Sequence, residues 1–370
     1  MAVAGTLMGG VPVPPVTVGS RHRGETKGRT MTSLEEAGAD LIDQGNALWA
    51  RGHRAEAVQV TRQAVRYLRE LAQANPATSH HLATALSNLG SMLVDSGQHE
   101  EAIPVLEQSV VFRRIFADKG TEFTADLAIS LANLGRAHTH VERLVDAQEA
   151  LQEAVDTYRA LLDQGLTEYR HATAMSLNSL GNARGLVPAA TGDFDEAIAL
   201  LRALDPVEND DIALILAATL ASQCGILLHV GDGVRADANS AEAVRLFRRL
   251  AEPNPTGVAP YLAKALVVRA EALQQVSRPQ DALAAVEEAI AIIRICADAN
   301  PEGWRDQLAR SLRLAATAFH SLGRADEAAA ASEEADRLTA QDAALPEESR
   351  PEGRTRSLLS RLPWKRSRSR

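Results

Sequence analysis

Apolar residues recur along this chain at helical spacing, in seven segments that share one register. Leu86 and Leu89 stand four and one residues before Gly90, and the same spacing precedes Gly135 and Gly181. Leucines spaced in this way lie on one face of an α-helix. The pattern therefore predicts that each segment opens with an amphipathic helix.

A small residue marks the same place in every segment. Alanine recurs twelve residues later in most segments, and again seven residues further on. A short polar turn separates the two parts, which predicts a unit of helix, turn and closely packed second helix. A repeat of about 45 residues predicts a stacked solenoid that acts through a surface. The small residues are Gly45, Gly90, Gly135, Gly181, Gly225, Ala270 and Ala316.

This order of Leu-Gly, Ala and Ala resembles the tetratricopeptide repeat, in a long form similar to kinesin light chains and to arrays common in actinobacteria. The resemblance covers about residues 35–340. It implies an all-α fold, an α-solenoid that winds as a right-handed superhelix of about seven helix pairs. The pairs are expected near residues 35–76, 81–120, 124–165, 168–206, 211–255, 258–301 and 304–340, within a solenoid of residues 34–341.

Repeats four and five depart from the pattern. Four extra residues are expected in the turn between Gly185 and Gly192, and Asp205-Pro206 is expected to cut the following helix short. In repeat five, Gly231–Gly233 interrupts the turn, so the second helix is expected to start only around residues 237–241. Insertions in solenoids often belong to binding edges, but a neutral loop is the commoner case. These two repeats could form a bend between residues 35–163 and 213–340.

Charge is unevenly distributed along the chain. The net charge of −9 combines +7 over residues 349–370 and +3 over residues 1–30, which leaves −19 for residues 31–348. An acidic array thus carries a basic tail. Residues 1–33 and 342–370 are expected to be disordered. Arginine outnumbers lysine 35 to 4, a bias associated with high-GC bacterial genomes.

Compartment signals favour a cytoplasmic protein. Cys224 and Cys296 sit at apolar helical positions of different repeats, which favours free buried thiols over a disulfide. The longest apolar run, Ile212–Leu228, falls in register as a repeat helix and is short for a membrane span. The N-terminal stretch has no basic region before its apolar part, so a secretory signal is not expected. Met31 precedes a capping-type helix start, and we hypothesise that it is the initiator.

Motifs for chemistry are absent from the sequence. It contains no Gly-x-x-x-x-Gly-Lys phosphate loop, no His-Glu-x-x-His and no Cys-x-x-Cys. His138 and His140 would point in divergent directions on a helix, which favours packing over metal ligation. We therefore expect no enzyme activity, no cofactor and no metal site.

The resemblance implies that first helices line an inner groove. Residues three before, two before and one after the small residue would face a bound peptide, and an asparagine ladder could bracket successive peptide groups. The alternative, that these asparagines satisfy groups between helices, is equally open, and Asn178 stands one place off the ladder. A basic carboxylate clamp is poorly matched, with only Arg136 and Arg313 at comparable positions. The expected groove residues are Asn46, Ser87, Asn88, Ser91, Asn133, Arg136, Asn178, Ser179, Asn182, Ser222, Gln223 and Glu271.

The tail supplies a second candidate surface. Its arginines could meet lipid head groups or nucleic-acid phosphates, or could fold back on the acidic array, and a solvated tail is the plainest alternative. The expected tail contacts are Arg361, Trp364, Lys365 and Arg366. The sequence as a whole predicts a non-catalytic interaction scaffold that binds a peptide or partner helix. The alternative is a peptide-sensing bacterial regulator whose tail contacts DNA or an anionic membrane.

Overall fold

The computed structural model of the protein describes residues 33–299 and 301–343. This part of the chain contains fourteen α-helices, three single turns of 3₁₀-helix and no β-strand. The first helices of the seven pairs are α1 (Ser33–Ala50), α3 (Ser79–Asp95), α5 (Thr121–His140), α7 (Arg170–Arg184), α9 (Asp210–Val230), α11 (Pro255–Gln275) and α13 (Pro301–Ser321). The second helices are α2 (Arg54–Ala74), α4 (His99–Arg114), α6 (Leu144–Asp163), α8 (Pro188–Arg202), α10 (Gly233–Ala251), α12 (Pro279–Ala299) and α14 (Ala325–Ala343).

Helices pack mainly on their neighbours in the chain, as α1 does on α2 and α2 on α3. The predicted all-α solenoid of helix pairs is confirmed. Among the described residues the helices form two compact units, one of residues 33–184 and 192–205, the other of residues 185–191 and 206–343. The division runs through α8. Each unit has its own apolar core, built from α1–α6 in the first and from α9–α14 in the second.

We call the small residue that marks each repeat its column residue. At this residue the two helices of a pair come closest. A Cβ added to Gly135 would lie 3.1 Å from the carbonyl oxygen of Ala147 and would also meet the side chain of Leu151. At Gly181 the added Cβ would lie 2.6 Å from Phe194 Cε2. Interiors are packed without room for an extra methyl group, so the column must stay small where helices approach this closely.

In repeat five the column residue is Cys224, and the prediction of Gly225 is wrong. The Cys224 thiol donates to the carbonyl of Ala236 at 3.5 Å, twelve residues on, as Gly45 approaches the carbonyl of Ala57. Gly231, seven residues after Cys224, has a left-handed φ of 85°. Gly52 and Gly97, seven residues after their own column glycines, have similar values of 82° and 77°. The sequence misled because a glycine stands next to the true column residue.

The helix α10 begins at Gly233, so the expected late start around residues 237–241 is also wrong. Asp232 caps it, since its side chain accepts from the backbone N–H of Arg235 at 3.1 Å. Gly233 is nine residues after Cys224, which is the usual distance from column residue to second helix. Repeat five is therefore regular once its register is corrected.

Repeat four is shortened and carries no insertion. Its first helix α7 ends at Arg184, Gly185 turns with a φ of 72°, and α8 begins at Pro188. The four extra turn residues predicted before Gly192 therefore lie in α8. Proline is well tolerated in the first turn of a helix, where its missing N–H has no partner to lose. The second helix is short, as expected, because it ends at Arg202.

The apolar helix α9 is long enough to cross a membrane, with a mean hydropathy of 1.9. Within the described structure 83% of that apolar window is buried. Its partners are α10 and α11 of the same unit. The apolar run is thus accounted for as the core helix of a packed array, as the sequence analysis expected.

A row of arginines links successive second helices. In each link an arginine near the end of one second helix contacts an acceptor near the middle of the next, 37 to 40 residues further along the chain. Most of these side chains are substantially exposed, so each link contributes at most about 1 kcal/mol. The outer arginine row comprises Arg69–Gln108 (2.9 Å), Arg114–Glu153 (2.7 Å), Arg159–Glu196 (2.5 Å), Arg248–Glu288 (2.5 Å) and Arg294–Glu334 (2.8 Å).

Candidate functional site

Three first helices of the first unit, α3, α5 and α7, carry polar side chains at the positions two before and one after the column glycine. We call them the polar seam: Asn88 and Ser91 of α3, Asn133 and Arg136 of α5, and Ser179 and Asn182 of α7. Asn88, Ser91 and Asn133 are at most 2% exposed. Arg136, Ser179 and Asn182 are half-buried.

At the α3 end of the seam, Asn88 Nδ2 donates to Oδ1 of Asn46 on α1 at 3.2 Å. This contact joins two of the predicted groove residues across neighbouring first helices. Asn88 Oδ1 and Ser91 Oγ are buried and have no hydrogen-bond partner in the described structure. The seam therefore offers unused acceptors here, and a hydroxyl that can also donate.

Arg136 occupies the centre of the seam. Its Nη2 donates to Oδ1 of Asp95 at 2.8 Å, and its Nη1 donates to Oδ1 of Asn133 at 3.3 Å. A guanidinium has only donors, so it orients the Asn133 amide with its oxygen toward Arg136. The amide nitrogen, Asn133 Nδ2, is consequently left buried and without a partner among the described residues.

A narrow cleft between α5 and α7 opens beside Asn133. Its volume is 20 Å³, which is room for about one water-sized group. Burial raises the pKa of the Tyr158 hydroxyl well above its ordinary value, so this wall of the cleft stays neutral. The lining residues are Ile129, Ala132, Asn133, Arg136, Tyr158, Ala172, Met175, Ser176 and Ser179.

The positions three before the column face neighbouring helices. Ser87 accepts from Ser130 Oγ at 3.1 Å, and Ser130 also lies 3.0 Å from Ser109 Oγ on α4. This buried hydroxyl chain fits the alternative that such residues satisfy packing. Asn178, at the same position in α7, is 1% exposed, and neither of its amide atoms has a partner in the described structure. Asn182 Nδ2 donates to the Asn178 carbonyl at 2.9 Å, which leaves Asn182 Oδ1 unpaired there.

The predicted groove residues of the second unit differ from one another in how they are paired. Gln223 accepts from Asn239 Nδ2 at 2.6 Å and donates to the Thr191 carbonyl at 3.2 Å, so its amide is engaged. Ser222 is buried with an unpaired hydroxyl among the described residues. With the column at Cys224, Ser222 stands two places before the column residue, as Asn88 and Asn133 do in their own helices, and Gln223 stands one place before it. Glu271 accepts from Arg310 Nη2 at 2.5 Å.

The sequence favoured a packing role for His140 but did not predict its stacking on His99, which lies near Arg136. The rings of His99 and His140 stack with centroids 4.0 Å apart and planes 7° from parallel. Burial, His99 and Arg136 lower the pKa of His140 to about 4. Burial and Arg136 also lower the pKa of His99, although the nearby Asp95 carboxylate acts to raise it. Both rings are therefore neutral at pH 7.

The remaining predicted contacts, Arg361, Trp364, Lys365 and Arg366, lie outside the described residues, as does Met31. Within the described part of the chain, no group of three His, Cys, Asp or Glu side chains is placed to hold a metal ion. Cys224 is buried and Cys296 is half-buried, and both thiols are free.

Comparison with known proteins places these features in a family context. The family model described as tetratricopeptide repeat matches residues 82–115 and 127–165, which fall on the α3–α4 and α5–α6 pairs. A sequence search of curated proteins finds no match. These two matched pairs carry four of the six seam residues.

Several solved structures are similar to this chain. BtubC (BKLC) from P. vanneervenii is 15% identical with a TM-score of 0.36, over 80% of this chain and 95% of that one. The apo form of the quorum sensor NprR from B. thuringiensis is 12% identical with a TM-score of 0.47, and the match covers 84% of this chain and 89% of that one. A tetratricopeptide repeat protein from Parabacteroides merdae is 16% identical with a TM-score of 0.38, and the match covers 85% of this chain and 95% of that one. The tetratricopeptide repeat is thus matched directly over two of the seven helix pairs, and the other described helices follow the same helix-turn-helix pairing.

Proposed function

We propose that this protein is a non-catalytic interaction scaffold that binds an extended peptide along the polar seam of α3, α5 and α7. The observation that carries the proposal is the set of buried, unpaired polar atoms on successive first helices: Asn88 Oδ1, Ser91 Oγ, Asn133 Nδ2 and Asn182 Oδ1. A bound main chain supplies both N–H donors and carbonyl acceptors, which are the groups these atoms lack.

Energetics favour such an occupant. A buried polar group without a partner costs about 1–3 kcal/mol, and most native buried groups are paired. Several unpaired atoms along one face of a unit are therefore a concentrated cost, which a ligand would relieve on binding. Asn133 Nδ2 is held ready to donate because Arg136 fixes the other end of the amide.

The seam favours recognition of the peptide backbone over a charged tail. Arg136 is neutralised by Asp95 at 2.8 Å, so it offers no free cation for a carboxylate. The cleft beside Asn133 admits only a small group and is partly walled by Ile129 and Met175. We infer that the ligand places a carbonyl oxygen or a small side chain there, and that chaperone-type C-terminal carboxylates are not its preferred ligands.

The test compares the full-length protein with an Asn88→Ala/Asn133→Ala variant on an immobilised array of extended peptides, and in pull-downs from native lysate. Gln59→Ala is the matched control, because this amide is exposed on the second helix α2. Circular dichroism first establishes equal helicity. Loss of binding by the seam variant alone supports the proposal. Equal binding by all three proteins overturns it and assigns the asparagines to packing.

A regulator whose tail contacts DNA or an anionic membrane stays a prediction from the sequence, since the tail lies outside the described residues. Salt-sensitive binding to DNA or to anionic vesicles that disappears on deletion of residues 350–370 would favour it. A peptide partner recovered equally well without the tail would favour the scaffold.

A further inference from the structure

A second surface cleft lies in the second unit, and its walls are second helices of their pairs. It runs between the second helices α12 and α14, with α13 as its floor, and has a volume of 400 Å³. Clefts of about 300–1,000 Å³ are the usual size for bound ligands. We call it the outer cleft, and its lining residues are Glu287, Ile290, Ala291, Arg294, Leu312, Ala315, Phe319, Glu327, Ala330, Ala331 and Glu334.

Small side chains keep the outer cleft open. Residues 328–331 are four consecutive alanines on α14, and Ala330 faces the cleft. Ala291 stands on the α12 side. Both alanines are exposed, while Leu312 and Ala315 form a buried apolar floor between them. The cleft can therefore accept bulky apolar side chains without moving the helices.

The rim of the outer cleft is acidic. Three carboxylates against the single guanidinium of Arg294 leave a charge of −2 among the lining residues. Glu334 is paired with Arg294 at 2.8 Å, and Glu327 is paired with Arg324. Glu287 has no ion-pair partner in the described structure. A partner with an apolar core and positive flanks would satisfy both the floor and the rim.

We propose that the outer cleft binds the chain's own C-terminal segment, residues 350–364. This segment carries Leu358, Leu359, Leu362 and Trp364 between arginines, which is the composition that the cleft requires. It begins seven residues after Ala343, the last residue of the helix α14 that lines the cleft. The fifteen residues from Ala343 to Leu358 can span up to about 50 Å when extended, so reach is no obstacle.

Tethering strengthens this assignment. A segment joined to its site by a short linker has an effective concentration of about 1 mM, so even a weak contact is populated. The +7 charge of residues 349–370 adds attraction toward the acidic rim, and salt screens that attraction. The proposal concerns second helices of the other unit and is independent of peptide binding along the polar seam.

Cysteine cross-linking in the full-length chain tests the proposal. In a Cys296→Ser background, Leu359→Cys is combined with Ala330→Cys, which faces the cleft, or with Ala329→Cys, which is exposed on the same helix and does not line it. We expect the Ala330→Cys pair to form an intramolecular disulfide about tenfold faster under mild oxidation, because docking raises the local concentration of the tail thiol. Mass spectrometry of the digested monomer identifies the bond.

Charge variants complete the test. Glu287→Lys on the rim should slow the cross-link, whereas Glu333→Lys, outside the cleft on α14, should not. Added salt should also slow it. Equal rates for the two cysteine pairs would overturn the proposal. Cross-links that form only between molecules and rise with protein concentration would also overturn it, because they would show that the cleft binds a second copy of the chain. Circular dichroism of each variant separates these outcomes from misfolding.

Discussion

Arg136 of α5 reaches back to Asp95 of α3, with Nη2 and Oδ1 2.8 Å apart and with side chains only 18% and 13% exposed. This pair joins two successive first helices and positions the amide of Asn133 at the same time. It differs from the exposed links of the outer arginine row, because water screens it far less.

Replacing Arg136 should therefore cost more than replacing an arginine of the outer row. We expect Arg136→Ala to lower the free energy of unfolding by about 2 kcal/mol, since Asp95 is left poorly hydrated and unpaired. Arg114→Ala, which breaks the exposed pair with Glu153, should cost less than about 1 kcal/mol. Urea denaturation followed by circular dichroism gives both values. Equal losses would show that the Arg136 pair is no more than a surface contact.

A methyl group added at a column glycine should lower the stability of the protein. Gly135→Ala would push against the Ala147 carbonyl and Leu151, so we expect a loss of about 1–3 kcal/mol in stability. Gly192→Ala is the matched control, because an added Cβ there meets nothing within 4 Å inside α8. We expect it to gain up to about 1 kcal/mol from helix propensity. Thermal unfolding of both variants checks the opposite signs.

Stability should fall with acidity below pH 6.5. The unfolded state binds a proton at His140 near pH 6.5, whereas the folded state binds it only near pH 4, so protonation favours unfolding between these values. The stabilisation is complete above pH 6.5 and is lost progressively toward pH 4. At pH 5 we expect a loss of about 1 kcal/mol from this residue, after a discount for its solvent exposure.

The variant His140→Asn should flatten this dependence, whereas Gln59→Ala, at an exposed amide of α2, should leave it unchanged. Urea midpoints measured between pH 7.5 and pH 4.5 make the comparison. If wild type and His140→Asn lose stability in parallel, the histidine stack does not carry the effect.

The two cysteines should differ sharply in reactivity. Burial raises the pKa of Cys224 to about 12, and its side chain is fully enclosed. Thiolate is the reactive form, so an alkylating reagent at pH 7.5 should leave Cys224 unlabelled until the protein unfolds. Cys296 is half-buried and should label slowly in the native state. Native labelling of Cys224 by mass spectrometry would contradict its place in the column.

The repeat pattern predicted the helix pairs because burial of one face imposes a period that the sequence shows directly. It failed at two places, in repeats four and five. Gly225 was chosen because it is a glycine, although Ala236 and Ala243 stand twelve and nineteen residues after Cys224, as the alanine spacing of the other segments requires, and the contact with the Ala236 carbonyl agrees. Pro188 looked like part of a loop, although the fold uses it to begin α8.

The candidate site was predictable in part for the same reason. Spacing placed Asn88 and Asn133 at the same register position of successive first helices. It could not show that Asn46 occupies one end of the Asn88 amide, or that Arg136 holds one end of Asn133. Those details depend on how far a neighbouring side chain reaches. The role of the seam residues in binding stays a prediction.

The outer arginine row implies a standard joint between repeats. Within α2–α8, and again within α10–α14, a second helix that stands between two others presents an acceptor to the helix before it and an arginine to the helix after it, in the same two places. A pair inside either run could thus be gained, lost or exchanged during evolution while the arginine links around it still formed, whereas a cut within a pair would leave one half of a link without its counterpart. The row makes the helix pair the natural unit of inheritance in this chain.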